Sequence, residues 1–190
     1  RSLQLATEAY LEQAHGALNA KQPADAVQAL NRALAMYADE SGPASLQMRS
    51  ALRMQRARIL TQIGQLDAAI EDLQVLTGQQ PDDLEARVML ASLYASTERW
   101  SSLNGILAPL DAEPQLKDIA LYLQGRAALA QGRAGTARAK FEAALERLPT
   151  GPHRLRGALY FYHSQCLIQL GRSAAADAAL LKALDADFQP

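Results

Sequence analysis

Thr136-Ala137-Arg138-Ala139-Lys140-Phe141 is one of five segments that share a pattern and almost no letters. Asp25-Ala26-Val27-Gln28-Ala29-Leu30, Ala68-Ala69-Ile70-Glu71-Asp72-Leu73 and Ala175-Ala176-Asp177-Ala178-Ala179-Leu180 fall into the same frame. Ser101-Ser102-Leu103-Asn104-Gly105-Ile106-Leu107 joins them. Each ends on a large apolar residue, and in four of the five a small residue sits four places before it. Extending the frame outward divides the chain into units with first positions at Thr7, Ser50, Leu84, Asp118 and Gly157, spaced by 43, 34, 34 and 39 residues. A recurring period of this length marks a repeat architecture, in which each unit buries its apolar face only against its neighbours.

The frame makes a checkable statement about side-chain size. Position 8 is Ala14, Ala57, Ala91, Gly125 and Ser164. Position 20 is Ala26, Ala69, Leu103, Ala137 and Ala176, and position 27 is Ala33, Leu76, Leu110, Ala144 and Ala183. Twelve of these fifteen are Ala, Gly or Ser, types that fill only 59 of the 190 residues, so composition does not supply the pattern. Position 24 is Leu30, Leu73, Leu107, Phe141 and Leu180. Small residues where two helix backbones cross, with one large residue filling the groove between them, is the physical reading.

Every unit splits into two helical stretches. Gly64, Gly132 and Gly171 fall in the break of three units, where a helix ends most easily on a residue free to take positive φ. Pro81 and Pro149 close two units. Gly42-Pro43 and Gly151-Pro152 precede the units that follow the longer spacings. The extra residues there predict added N-terminal turns on the first helix, with Pro near its start. Asp82-Asp83 after Pro81 predicts an N-terminal cap. Composition agrees with helix: 38 residues are Ala, the best helix former, and aromatics make up 5%.

These units resemble tetratricopeptide repeats, and the resemblance covers nearly the whole chain. It implies an all-α, right-handed α-solenoid of helix-turn-helix units, about ten helices in all. One domain over residues 1–190 is expected, with units near 2–40, 44–81, 82–114, 115–149 and 152–188. Arg1 opens directly on an amphipathic pattern, so the sequence reads as a segment of a longer protein, with any signal or anchor outside it. In this family the first helices line a concave channel, and positions 2, 5, 9, 12 and 13 point into it. Position 5 here is Leu11, Met54, Val88, Tyr122 and Phe161. Position 9 is His15, Arg58, Ser92, Arg126 and Gln165. Positions 5 and 9 lie one turn apart on one face. The expected site is therefore an apolar stripe beside a polar, partly basic one, with Glu8 and Glu85 at position 2 offsetting the two arginines.

Such a groove suits a peptide or protein segment, apolar side chains resting on the stripe and arginines meeting carboxylates or carbonyls. The competing reading is that position 5 packs between adjacent first helices. On the groove reading, Tyr122 and Phe161 can be truncated with loss of binding and little loss of stability. The chaperone-tail clamp of this family uses Lys and Asn at positions 5 and 9 of its first unit. Leu11 and His15 stand there, so that activity is not expected. Leu181, Leu184 and Phe188 predict an apolar edge on the last helix, covered by a further helix of a longer array or by end-to-end packing on another chain.

Other chemistry is excluded. The net charge of −1 and scattered basic residues argue against nucleic acid. No apolar stretch is long enough to insert in a membrane. A single cysteine rules out an internal disulfide and any Cys-cluster zinc site. His163 and Cys166 read as core residues, with no further ligand nearby. No cofactor, metal or catalytic residue is expected. The function implied is a non-enzymatic interaction scaffold. Family resemblance and the small share of Lys among basic residues point to a bacterial envelope assembly, polysaccharide export or pilus system. The alternative is a regulatory or ligand- or saccharide-binding helical arm of a larger enzyme or signalling protein, with Tyr122 and Phe161 stacking on the ligand and Arg126 and Gln165 bonding to it.

Overall fold

The computed structural model describes residues 2–186. Among them are ten α-helices: α1 Ser2–Asn19, α2 Pro23–Ala35, α3 Pro43–Gln62, α4 Leu66–Gln79, α5 Leu84–Ser96, α6 Trp100–Ala112, α7 Lys117–Ala130, α8 Ala134–Arg147, α9 Arg156–Gln169 and α10 Ser173–Asp185. They fall two to a repeat. Their contacts group into two compact units, residues 1–90 and 91–190. In the first, α1 packs on α2, α2 on α3 and α3 on α4. In the second, α6 packs on α7, α7 on α8, α8 on α9 and α9 on α10.

Packing follows the repeat frame. All fifteen residues at positions 8, 20 and 27 are buried, including Gly125 and Ser164. At position 24, Leu30, Leu73, Leu107 and Phe141 are buried, whereas Leu180 is 40% exposed. The large residue needs a neighbouring helix to cover it, and no helix among the described residues follows α10.

The break within each unit has one geometry. Lys21, Gly64, Glu98, Gly132 and Gly171 all occupy position 15, and all have positive φ, between 57° and 76°. In every unit the next residue's amide donates five residues back, from Gln22 to Ala17 O, Gln65 to Leu60 O, Arg99 to Tyr94 O, Arg133 to Ala128 O and Arg172 to Leu167 O, at 2.8–2.9 Å. This bond satisfies a carbonyl that the ending helix leaves free. Lys21 and Glu98 take the left-handed conformation against the preference of a side chain with a Cβ. Lys21→Gly and Glu98→Gly are each expected to raise stability by about 0.5–1 kcal/mol, read as a higher urea midpoint with unchanged slope. An unchanged or lower midpoint would mean the side chains themselves contribute to the turn.

The two proline-preceded regions differ. Pro43 is the first residue of α3, which runs twenty residues after an N-cap at Gly42, as expected. The expectation of added turns is corrected in the last unit, where α9 starts only at Arg156, after a bend at Gly151 and a turn at Arg154 and Leu155. Local bonds hold this connection out of the helix. The Leu155 amide donates to His153 Nδ1 at 3.3 Å. Arg156 Nε donates to the Gly151 carbonyl at 3.0 Å, and its terminal nitrogen donates to the Pro149 carbonyl. The expected cap at Asp83 is present, its Oδ1 accepting from the Ala86 amide at 2.9 Å.

Candidate functional site

The first helices α1, α3, α5, α7 and α9 carry the sequence-selected residues. In the first unit, Leu11 on α1 is half-buried and packs against the α1–α2 core, so part of its surface is spent on folding. Met54 on α3 and Val88 on α5 are also half-buried. His15 and Arg58 come together and line a notch of about 220 Å³. Its floor is apolar, made of Ala14, Leu18, Leu30 and Ile59, and Gln55 and Gln62 complete the rim. Leu18 and Gln62 occupy positions 12 and 13 of their units, the channel positions named above.

Arg58 is already paired. Its guanidinium donates to Glu85 Oε1 at 2.5 Å, and the two side chains are 50% and 69% exposed. An exposed pair of this kind contributes about 0–1 kcal/mol. A carboxylate brought by a partner can exchange with Glu85 at small cost. Ser92 on α5 is exposed.

In the second unit, Tyr122 and Arg126 on α7 meet Tyr162 on α9. The Arg126 guanidinium lies 4.9 Å from the Tyr162 ring centre, 5.8 Å from Tyr122 and 5.9 Å from Trp100. It also donates to the Ala95 carbonyl at 3.1 Å. Tyr122 contacts Phe141 and Tyr162 with ring centres 6.4 and 5.8 Å apart. Burial pushes the Tyr122 hydroxyl above its ordinary pKa. Phe161 stands edge-on to Tyr162 at 5.2 Å, and it and Gln165 are half-buried. Here the arginine and its rings hold one another. Each such contact is worth about 0.5–2 kcal/mol, so truncating Tyr122 is expected to cost stability, unlike the expectation from sequence.

Tyr162 at position 6 and Trp100 were not selected from sequence. The signal was the run Tyr160-Phe161-Tyr162, three of the chain's ten aromatics side by side, which spreads rings over about 200° of α9. His163 is half-buried with Nε2 3.2 Å from Glu142 Oε1. Cys166 is fully buried, and desolvation pushes its thiol up to about 11. Among the described residues no cluster of His, Cys, Asp and Glu could hold a metal ion, and no helix is long and apolar enough to cross a membrane. Leu181 and Leu184 are 62% and 58% exposed on α10. Phe188 lies outside the described residues.

The tetratricopeptide repeat family matches residues 11–83, 110–152 and 122–189. The chain belongs to that family. No curated protein matches the sequence. Among solved structures, a MamA protein is similar over 96% of this chain and 92% of its own, with a TM-score of 0.72 and 16% identity. MamA from Desulfovibrio magneticus RS-1, residues 41 to the end, is similar over 96% of this chain and 95% of its own, with a TM-score of 0.71 and 13% identity. MamA of MSR-1 gives 0.67 at 18% identity, covering 95% and 96%. At identities this low the likeness is one of fold alone.

Proposed function

We propose that this chain is a non-enzymatic interaction scaffold that holds a peptide or protein segment along the exposed face of its first helices. The observation that carries the reading is the α1–α3 notch, where His15 and Arg58 meet over an apolar floor. The floor suits one apolar side chain, whose burial contributes about 1.5–3 kcal/mol. Gln55 and Gln62 offer amide groups to a peptide backbone, and Arg58 offers a charge now paired with exposed Glu85. One anchor and a few hydrogen bonds, less the cost of ordering, give roughly micromolar affinity for a short peptide.

In the second unit, Phe161 and Gln165 are half-buried on α9, and Tyr122 and Arg126 pack against the Tyr162 ring that Phe161 also meets. That arrangement favours a protein segment over the ligand- or saccharide-binding arm, because Tyr122 and Arg126 spend their faces on each other and on Tyr162. A role in a bacterial envelope, polysaccharide export or pilus assembly draws its support from the family resemblance and the arginine-rich composition.

The test is a peptide selected from a random library on the purified protein. His15→Ala with Arg58→Ala is expected to weaken its binding about tenfold, with the melting temperature unchanged because both side chains are exposed. Selected peptides indifferent to both substitutions would remove the notch from the binding surface.

A further inference from the structure

The second unit carries a charged surface that the groove does not use. Two hollows, of about 820 and 350 Å³, open between α8, α9, α10 and the 151–155 connection. Tyr160 and Lys182 line both, so the hollows meet there. Lys182 Nζ sits 5.5 Å from the centre of the Tyr160 ring, which holds the ammonium at the junction.

Arg154 and Arg156 line the larger hollow, and Arg138 and Arg172 the smaller. With Lys182 they set five cations against two carboxylates, Asp185 and Glu142. Glu142 is partly neutralised by Arg138, 3.7 Å away. Arg154 and Arg172 are exposed and make no ion pair among the described residues. In a chain of net charge −1 this is a strong local excess of positive charge.

This surface is distinct from the first-helix groove. At about 100° per residue, Tyr160, His163 and Leu167, which line the smaller hollow, share one face of α9. Phe161 and Gln165 fall on nearly the opposite face.

We propose that the α8–α9–α10 surface is a second docking site, and that its occupant is an acidic peptide segment of a partner protein. Charge complementarity selects the sign of the partner. The cations are spread over three helices and a connection rather than converging on a point. That distribution suits carboxylates strung along a chain, not a single phosphate. Leu145, Leu167, Pro152 and Tyr160 give the hollows apolar walls for side chains between the acidic ones.

The test uses fluorescence anisotropy with a fluorescein-labelled peptide of repeated Glu-Glu-Leu triplets, beside the same peptide with Gln for Glu. The Glu peptide is expected to bind, more weakly as salt is raised, and the Gln peptide at least about tenfold more weakly. The variant Arg154→Gln/Arg172→Gln/Lys182→Gln is expected to lose about tenfold in affinity while its circular dichroism and melting temperature hold. Arg154→Gln alone gives a smaller fall in the same direction, and His15→Ala with Arg58→Ala gives none. Equal binding of the two peptides, or full affinity in the triple variant, would overturn the proposal. So would tighter binding of phosphatidylserine vesicles or duplex DNA than of the Glu peptide, lost in the same variant, since the surface would then serve another class of partner.

Discussion

Asp72→Ala is expected to cost about 2–3 kcal/mol and to open the α3–α4 pair before the rest of the first unit. Asp72 lies in the middle of α4, with its side chain 4% exposed. Its carboxylate accepts two bonds from Arg56, from Nε at 2.7 Å and from the terminal nitrogen at 2.5 Å. Arg53 Nε lies 3.8 Å from the same group. Arg56 donates its remaining terminal nitrogen to Asn31 Oδ1 on α2, so one guanidinium ties three helices together. Removing the carboxylate leaves two arginines beside each other without their counter-charge. The arginine side chains are about a quarter exposed, 23% and 24%, which holds the cost below that of a fully buried pair. Hydrogen exchange should show amides of α3 and α4 losing protection in the variant. Asp72→Leu with Arg56→Met removes the bidentate pair and should recover part of the loss, Arg53 alone keeping an unpaired charge beside the site. A single variant as stable as the parent would mean water already solvates the site.

Gly125→Ala is the second large effect, expected at about 1–3 kcal/mol despite the gain in helix propensity of about 1 kcal/mol. A Cβ at Gly125 would stand 2.4 Å from Phe141 Cε1, with two further ring atoms at 2.7 and 2.8 Å. Phe141 is fully buried, ringed by Tyr122 and Tyr162, and cannot swing away. The cost should fall sharply when Phe141→Leu is made in the same chain, which shortens the obstructing side chain. Thermal unfolding of the four variants in this cycle reads the coupling directly. Additive effects would show that α7 and α8 do not cross at this pair.

The second of these cases shows where sequence was a good guide. Gly125 and Phe141 stand at positions 8 and 24, and the periodic alternation of small and large residues already fixes their meeting, because close helix crossings tolerate few shapes. The left-handed turns at Gly64, Gly132 and Gly171 were legible for the same reason. Lys21 and Glu98 adopt the same turn without the residue that announces it, carried by the geometry of the surrounding unit. Asp72 was not legible. Nothing periodic marks an aspartate at position 23 as buried, and its partners Arg53 and Arg56 reach it only after α3 and α4 have paired. The late start of α9 was hidden in side-chain bonds from His153 and Arg156 that compete with helix extension.

The candidate site divides along similar lines. Repeat register placed His15 and Arg58 on neighbouring helices, and the structure brings both to one notch. Register alone did not reveal that Arg126 would be enclosed by rings, since Trp100 and Tyr162 come from α6 and α9. Whether a side chain at position 5 or 9 faces outward or supports its neighbours depends on the residues around it.

Docking of a partner on the first helices, as proposed above, is read directly by amide chemical-shift mapping of the protein with a library-selected peptide. The largest shifts are expected on α1 and α3 around His15, Gln55, Arg58 and Gln62. Shifts confined to the second helices α2, α4, α6, α8 and α10, with α1 and α3 silent, would contradict it.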